Sequence, residues 1–238
     1  MVKLNMNKIQ EFYISEGYFL ARNLLADEDL LDIEKRARSS IAMNWDEITY
    51  LNDPAWVSFA ADNPRCVTSV YDDMRDDDVF IKLGLLPKIT DVVSALIRQP
   101  KLYKKVPFRI DVPFETKELA FWHQDDFYVK GNDEELTVWI PLFDTKVQQG
   151  CLQVMPKSHI RGKIPHTLKV GKKTLPASGY ENEIRYVEMN RGDALFFSSF
   201  LLHSSSLNIS DEIRYSIQLR YSCGLKKQSD EMKGTVNV

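Results

Sequence analysis

From about residue 105 onward, the sequence is a series of short runs in which apolar and polar residues alternate. Alternation with period two is typical of strands that bury one face, and Gly, Pro, Asn or Asp separate the runs. Seven runs predict strands, at 106–112, 119–125, 136–143, 151–155, 184–189, 194–198 and 213–221. Many short strands with turns at such intervals indicate a β-sandwich or β-barrel.

The first hundred residues predict mostly helices. Apolar residues recur at helical spacing after Asp27, and a second amphipathic stretch begins at Pro87, which suits the first turn of a helix. Residues 44–80 between them are acidic, and we predict an irregular segment with Trp45 and Trp56 as anchors. The aspartates at 72–78 predict a solvated loop, because like charges repel one another without a bound ion.

The chain has 238 residues and no internal repeat or low-complexity linker, so we expect one domain over 1–238. Its fold class is predicted as mainly β with N-terminal helices, around a double-stranded β-helix (a jelly-roll, cupin-like core). In this division 1–104 form mostly helical support, 105–222 the jelly-roll core and 223–238 a C-terminal tail.

Composition excludes several classes of protein. Lys plus Arg number 31 against 34 for Asp plus Glu, so no overall positive charge favours nucleic acid as a partner. Three cysteines without a CxxC pair argue against a disulfide framework and for a reducing compartment. The sequence lacks the roughly 20 consecutive apolar residues that span a membrane, and its start lacks the apolar core of a signal peptide. The expected location is the cytoplasm.

His123 and Asp125 lie two residues apart in a predicted strand, so their side chains project from the same face. His203 lies far downstream, at the end of another predicted strand. Two imidazoles and one carboxylate form the facial set that binds non-haem Fe(II) and leaves positions open for other ligands. Asp126 is expected to face away, as a supporting or surface residue.

Arg214 follows His203 by eleven residues and begins an informative strand. Its guanidinium is suited to holding a carboxylate through two parallel hydrogen bonds. Alternation places Arg214, Ser216, Gln218 and Arg220 on one face, and Tyr215, Ile217, Leu219 and Tyr221 on the other. We predict that the apolar face packs on protein and that the polar row lines a cavity. The alternative is a half-exposed strand with its polar row in water.

Six motifs, in order along nearly the whole chain, resemble the phytanoyl-CoA dioxygenase family of Fe(II)- and 2-oxoglutarate-dependent oxygenases. Residues 44–85 show little of this resemblance. The motifs are Phe12-Tyr-Ile-Ser-Glu-Gly-Tyr18, Trp122-His-Gln-Asp125, Val138-Trp-Ile-Pro-Leu142, Gly150-Cys-Leu-Gln-Val-Met-Pro-Lys-Ser-His159, Gly192-Asp-Ala-Leu-Phe-Phe197 and the stretch from His203 to Arg214.

The resemblance implies that the two histidines and Asp125 bind iron. It implies that Arg214, helped by Ser205, binds the distal carboxylate of 2-oxoglutarate, and that Trp139 flanks this co-substrate. Arg109 and Asp111 resemble an Arg-Ile-Asn segment of relatives. Asp111 departs from that amide, and an acid beside a dianionic ligand would repel it.

Family members that halogenate have a small residue in place of the metal-binding carboxylate, so the presence of Asp125 favours hydroxylation or a related C–H oxidation. The expected cofactors are Fe(II), 2-oxoglutarate and dioxygen (O2), and the expected products include succinate and CO2. The alternatives are a zinc-dependent hydrolase, since this donor set also suits zinc, and a non-catalytic jelly-roll binding protein.

The expected substrate is a small polar metabolite or natural-product intermediate. The protein is expected to be a monomer or homodimer that has no membrane as a partner. Substrate-contacting residues are expected within 44–80, 128–135 and 161–182. Tyr128 and Lys130 could face the pocket or the surface. The lysine-rich stretch 161–182 could cover an anionic substrate or be solvated.

Overall fold

A computed structural model describes residues 5–116, 121–129, 134–165, 167–169, 172–174, 183–225 and 234–238. Its helices are α1 Met6–Glu16, α2 Asp27–Ala42, α3 Pro54–Asp62, α4 Pro64–Met74, α5 Asp78–Gly84, α6 Pro87–Leu96 and the single turn α7 Asp126–Val129. Its strands are β1 Tyr18–Ala21, β2 Pro100–Tyr103, β3 Phe108–Asp111, β4 Glu135–Pro141, β5 Leu152–Val154, β6 Thr167–Lys169, β7 Lys172–Thr174, β8 Arg185–Val187, β9 Ala194–Ser198, β10 His203–Ser205, β11 Arg214–Cys223 and β12 Thr235–Asn237.

Two antiparallel sheets form the core. The major sheet has the order β1-β9-β4-β11-β2-β12, with β3 also paired to β11, and the minor sheet has the order β10-β5-β8. Trp139, Leu195 and Phe197 of the major sheet share one buried cluster with Leu152 and Val154 of the minor sheet. The two layers therefore pack face to face, which confirms the predicted jelly-roll class.

Helices cover the outer face of the major sheet. The outward side chains of β11 belong to the same buried cluster as the apolar faces of α2 to α6. The Tyr215 hydroxyl donates to the Leu51 carbonyl at 2.7 Å and accepts from the Trp56 indole at 2.8 Å. The Tyr221 hydroxyl donates to the Gly84 carbonyl at 2.7 Å. The predicted apolar face of this strand does pack on protein.

The prediction of an irregular segment at 44–80 is wrong, because α3, α4 and the start of α5 lie there. Each helix is short and begins at a local signal: Asp53 caps α3 ahead of Pro54, and Asp77 caps α5. The acidic composition of the segment led to the wrong prediction, although α4 carries buried apolar residues at helical spacing, Val70 and Met74. Trp45 and Trp56 do act as anchors, with rings stacked at 6.0 Å.

The prediction of a solvated aspartate loop at 72–78 is also wrong for two of its acids. Arg36 of α2 donates to Asp73 at 2.7 Å and to Asp77 at 2.6 Å. The repulsion that the sequence implied is offset by this arginine from a helix more than 30 residues earlier, whose proximity the local sequence does not show. The Ser40 hydroxyl also donates to Asp73, and this contact helps to lower the pKa of Asp73.

The strand predicted at 119–125 is wrong where it can be compared, since 119–120 lie outside the described residues. Residues 121–125 form no strand, and an isolated bridge joins His123 to His203 before the chain turns into α7. The other six predicted strands are present with small shifts of their ends. The major sheet also includes β1, β2 and β12, which lie outside residues 105–222. That one domain accounts for the whole chain stays a proposal.

Within the described ranges, no helix combines the length and the apolar character required to cross a lipid bilayer.

Candidate metal centre

His123, Asp125 and His203 come together in the interior. One ligand atom from each lies within 4.8 Å of the others, and all three side chains are buried. Asp125 Oδ1 is 3.7 Å from His123 Nε2 and 3.8 Å from His203 Nε2. The structure thus brings together the three residues that the sequence proposed as ligands. The predicted strand that would place His123 and Asp125 on one face is absent, however.

Backbone contacts fix the orientation of both imidazoles. The two histidines exchange backbone hydrogen bonds across their bridge, at 3.0 and 3.1 Å. Nδ1 of His123 lies 2.6 Å from the Phe121 carbonyl, and Nδ1 of His203 lies 3.0 Å from the Leu201 carbonyl. Donation from Nδ1 to a carbonyl leaves Nε2 as the free lone pair, which is the usual arrangement of a metal-binding histidine.

Asp125 is held by two residues on the inner face of the major sheet, which is the face turned towards the minor sheet. The Thr137 hydroxyl of β4 donates to Asp125 Oδ2 at 2.6 Å, and Arg220 Nη2 of β11 donates to Asp125 Oδ1 at 3.2 Å. Thr137 and Arg220 are direct cross-strand partners. The Asp125 carbonyl accepts from the Tyr128 and Val129 amides in α7, at 2.9 and 3.0 Å, so the first turn of that helix also positions it.

The protonation states of this cluster suit a cation. Burial raises the pKa of Asp125, but Arg220 and the two histidines outweigh it and hold the pKa well below the usual value of a carboxyl group. Burial and the neighbouring His123 lower the pKa of His203 to about 4. At neutral pH the site therefore presents a carboxylate and an uncharged His203 imidazole, the forms that bind metal ions.

Arg214 lies at the other end of the inner face and is buried, with only 4% of its surface exposed. Its Nη2 is 2.8 Å from Asp111 Oδ2, and Arg109 Nη2 is 2.9 Å from Asp111 Oδ1. Burial raises the pKa of Asp111, but Arg214 and Arg109 outweigh it and lower this pKa to about 2. The acid is therefore ionised and shared between two arginines, which leaves this group of three with one positive charge.

Buried polar atoms without partners lie along the inner face in the described chain. They include Arg214 Nη1, Ser216 Oγ and Arg220 Nε. Buried polar groups normally have hydrogen-bond partners, and unpaired ones on one face indicate a ligand. This favours the predicted cavity over a polar row in water. Trp139 is buried on this face opposite Gln218, and Ser205 lies two residues beyond His203 in β10.

Several residues around the metal cluster could not be assigned from the sequence. The buried Gln124 amide donates to the carbonyls of Gly162 and Phe200, at 2.8 and 2.7 Å, and its oxygen accepts from the Ile164 amide. Gln124 thus ties the metal-ligand loop to two neighbouring segments. Gln124 lies between the two ligands of this loop, and its partners lie 38 to 76 residues away and have no local signal.

Tyr128 and Asp126 refine two open expectations. Tyr128 is half exposed, and its ring meets the His123 ring edge-on at 5.3 Å, so it covers the metal cluster from the solvent side. Asp126 is buried and lies 2.7 Å from the Lys163 ammonium. Lys130 and the stretches 131–133, 166, 170–171 and 175–182 lie outside the described residues.

Comparison with known proteins identifies the family. The family model for phytanoyl-CoA dioxygenase (PhyH) matches residues 13–216. The chain is 26% identical to a probable phytanoyl-CoA dioxygenase of Caenorhabditis elegans, over 86% of this chain and 71% of that protein. It is 27% identical to 1-deoxypentalenic acid 11-beta-hydroxylase of Streptomyces exfoliatus, over 85% of this chain and 75% of that protein.

Solved structures show the same fold. The epimerase SnoN, in complex with Fe3+, alpha ketoglutarate and nogalamycin RO, superposes with a TM-score of 0.64 at 17% identity, over 98% of this chain and 95% of that one. At that identity the likeness speaks for the fold, while the family match covers most of the sequence. The chain therefore belongs to the phytanoyl-CoA dioxygenase family, the Fe(II)- and 2-oxoglutarate-dependent oxygenases that its motifs resemble.

Proposed function

We propose that this chain hydroxylates, or otherwise oxidises at a C–H bond, a small organic metabolite, and that it consumes 2-oxoglutarate and O2 and releases succinate and CO2. The buried cluster of His123, Asp125 and His203 carries the proposal, since its donor set fits Fe(II). When bound, the ferrous ion and 2-oxoglutarate together supply the oxidising chemistry, which no side chain of the protein supplies.

The residues present fit this cofactor and its co-substrate. Two imidazole nitrogens and one carboxylate oxygen leave other positions on a metal ion open. Arg214 Nη1 is buried and has no partner in the described chain, so a carboxylate oxygen would satisfy it. The two positive charges of a ferrous ion balance the two negative charges of the co-substrate. The net positive charge of the group formed by Arg109, Asp111 and Arg214 would attract the co-substrate's distal carboxylate.

Asp111 acquires a role in this proposal. The sequence predicted that an acid beside the co-substrate would repel it. Its carboxylate bonds both Arg109 and Arg214, and so would fix the Arg214 fork in one orientation. Arg109 offsets the charge of Asp111, so the repulsion is reduced. The assignment of Arg109, Asp111, Ser205 and Trp139 to the co-substrate site rests on the family resemblance and on their inner-face positions.

The intact carboxylate of Asp125 favours oxygen insertion over halogenation. Thr137 and Arg220 hold it from two sides, so its ligand position is preorganised. Trp139, Phe197 and Leu201 line the space between the sheets with apolar surface and would exclude water from it.

The substrate follows more weakly from the relatives. The Streptomyces hydroxylase is named for 1-deoxypentalenic acid, and SnoN was solved with nogalamycin RO. Both support a natural-product-sized molecule, in line with the expectation from the sequence. A cytoplasmic location, the absence of a nucleic-acid partner and a monomer or homodimer stay predictions. The comparisons give no support to a zinc hydrolase or a non-catalytic binding protein.

Co-substrate binding tests the proposal directly. Protein purified without oxygen should bind Fe(II) and then 2-oxoglutarate, and calorimetry measures this binding. When air is admitted, the bound 2-oxoglutarate should be converted slowly to succinate. Arg214→Ala should weaken 2-oxoglutarate by about tenfold or more, because a hydrogen bond to a charged group is worth roughly 1.5–3 kcal/mol.

Arg98→Ala is the matched control, since the Arg98 side chain is 68% exposed and lies outside the site. It should leave the dissociation constant unchanged. Protein that shows no iron-dependent binding or turnover of 2-oxoglutarate would refute the proposal.

A further inference from the structure

Arg220 is the inner-face cation of β11 that the co-substrate site does not require. Its side chain is 20% exposed, so it contacts the buried metal cluster and is still accessible to solvent. Arg214 and Arg220 are six residues apart on one strand, which separates their backbones by roughly 20 Å. The two guanidinium groups are therefore placed to serve different anions.

The hydrogen-bonding capacity of Arg220 is mostly unused. Its Nη2 donates to Asp125 Oδ1 at 3.2 Å and to Gln218 Oε1 at 3.3 Å, and both distances are long for a charged donor. Its buried Nε has no partner in the described chain. A guanidinium has five N–H donors in a planar fork, so most of this fork remains available to a planar acceptor.

The partner that Arg220 does have is shared with the metal. Asp125 Oδ1 is also the oxygen that faces both histidine Nε2 atoms. A cation bound by these three side chains would draw on the negative charge of that oxygen and would repel the nearby guanidinium. Arg220 could keep this weakened contact through Nη2, while its Nε, which has no partner in the described chain, is left for a second anion.

The other acid on this part of the inner face is already engaged. Glu135 is buried two residues before Thr137 in β4, and its carboxylate accepts the Tyr103 hydroxyl. In the described ranges the only carboxylate that forms an ion pair with Arg220 is that of Asp125. Among the described residues, a new anion at this guanidinium would therefore compete with the long 3.2 Å contact to Asp125 and with no second ion pair.

We propose that Arg220 binds a carboxylate group of the primary substrate, and that the enzyme therefore acts on an organic acid. This inference rests on the proposed function and specifies its substrate class. Because Arg220 touches a candidate ligand oxygen, the bound carboxylate lies beside the metal cluster. The oxidised carbon is then within a few bonds of the substrate carboxylate.

Benzoate and benzamide test this, because they have nearly the same shape and differ in charge. Their binding is measured by calorimetry to protein loaded with Zn(II), which is inert towards oxygen, and with saturating 2-oxoglutarate to occupy Arg214. Wild-type protein should bind benzoate at least about tenfold more tightly than benzamide, the scale of a hydrogen bond to a charged group. Arg220→Gln should abolish this preference, and Arg220→Lys should keep part of it.

Arg98→Gln is the surface control and should keep the full preference. Circular dichroism and thermal unfolding check that each variant folds, and the retained charge of Arg220→Lys separates a loss of binding from a loss of structure. Equal binding of benzoate and benzamide by the wild type, or a preference that survives in Arg220→Gln, overturns the inference.

Competition with the co-substrate is the remaining outcome. If 2-oxoglutarate displaces benzoate, and Arg220→Gln weakens 2-oxoglutarate as much as benzoate, Arg220 serves the co-substrate and the inference fails. The difference between wild type and Arg220→Gln in the same titrations without 2-oxoglutarate measures the Arg220 preference separately, because both proteins retain Arg214. A failure of 2-oxoglutarate to bind would refute the proposed function, but a benzoate preference that depends on Arg220 would still show that Arg220 binds a carboxylate.

Discussion

The two faces of β11 differ in how completely their polar atoms are satisfied. On the outer face the hydroxyl groups of Tyr215 and Tyr221 all have partners in the helices or the preceding loop. On the inner face Arg214 Nη1, Ser216 Oγ and Arg220 Nε have none in the described chain. Both faces belong to the same strand, so the difference arises from what each face packs against.

The difference separates folding from binding. An unsatisfied buried polar group costs roughly 1–3 kcal/mol, so the inner face lowers the stability of the metal-free protein. That cost is recovered when a ligand supplies the missing partners, because binding to the folded state alone stabilises it. Substitutions on the outer face should therefore change the free energy of unfolding, and those on the inner face should change ligand binding.

The largest expected effect is on the outer face. Leu219 is fully buried between the sheet and the helices, so Leu219→Ala should lower the free energy of unfolding by about 2–5 kcal/mol through lost burial and the cavity left behind. Ser216→Ala, three residues away on the inner face, removes a buried hydroxyl that has no partner in the described chain and should raise the free energy of unfolding by roughly 1–3 kcal/mol. Urea denaturation of the metal-free proteins measures both.

Equal losses of stability in these two variants would show that the inner face is packed as tightly as the outer one. The 2-oxoglutarate affinity sharpens the same comparison. It should be unchanged in Leu219→Ala, provided that the measurement is made well below the unfolding transition.

The metal cluster should make stability depend on pH. The pKa of His203 is about 4 in the folded protein against an ordinary value of 6.5. As pH falls from 6.5 to 4, the unfolded chain gains a proton there that the folded protein does not. The free energy of unfolding should therefore fall by up to about 3 kcal/mol as the pH drops through this interval. Above pH 6.5 this stability is present in full.

Urea unfolding of chelator-treated protein between pH 7 and pH 4.5 checks this. His203→Gln lacks the titrating group and should show a flatter dependence over the same interval. A variant with the same pH slope as the wild type would assign the dependence to other groups.

The sequence predicted features whose physical cause is local. Period-two alternation is a local property, so the two faces of β11 followed from residues 214–221, while the cavity on the inner face stays a prediction that the unpaired polar atoms favour. The spacing of His123 and Asp125 was read as a strand, yet they converge through a bridge and a helical turn. The ligand set was found because the chemistry requires these residue types, although the backbone that delivers them was predicted wrongly.

Features that depend on register or on distant partners were missed. The contacts of Thr137 and Arg220 with Asp125 require the pairing of β4 with β11, which the sequence does not specify residue by residue. The sharing of Asp111 between two arginines depends on the pairing of β3 with β11. The helices within 44–80 were missed because the acidic composition of the segment outweighed its local signals, the caps Asp53 and Asp77 and the prolines at the starts of α3 and α4.

A smaller effect distinguishes the two outer-face tyrosines. Tyr215→Phe removes a hydroxyl that has two buried partners, the Leu51 carbonyl and the Trp56 indole N–H, and should cost about 1–3 kcal/mol. Tyr221→Phe leaves only the Gly84 carbonyl unpaired and should cost less. Thermal and urea unfolding measure both, and the reverse order would mean that the outer face is not saturated as described.

The smallest effect is expected on the inner face, at the residue that supports the metal ligand. Thr137→Val keeps the shape of the side chain and removes the 2.6 Å hydrogen bond to Asp125 Oδ2. Partners that orient metal ligands typically contribute 10- to 100-fold in metal affinity. We expect about tenfold here, roughly 1.4 kcal/mol, because Arg220 still holds the other carboxylate oxygen.

Thr145→Val is the matched control for this substitution. Thr145 is equally buried, and its hydroxyl donates to the Phe143 carbonyl at 3.1 Å, away from the metal ligands. Competition titration with Zn(II) should show weaker binding for Thr137→Val and wild-type binding for Thr145→Val. If both variants bind the ion like the wild type, Thr137 only fills space, and the inner face near Asp125 is less specialised for binding than its unsatisfied atoms indicate.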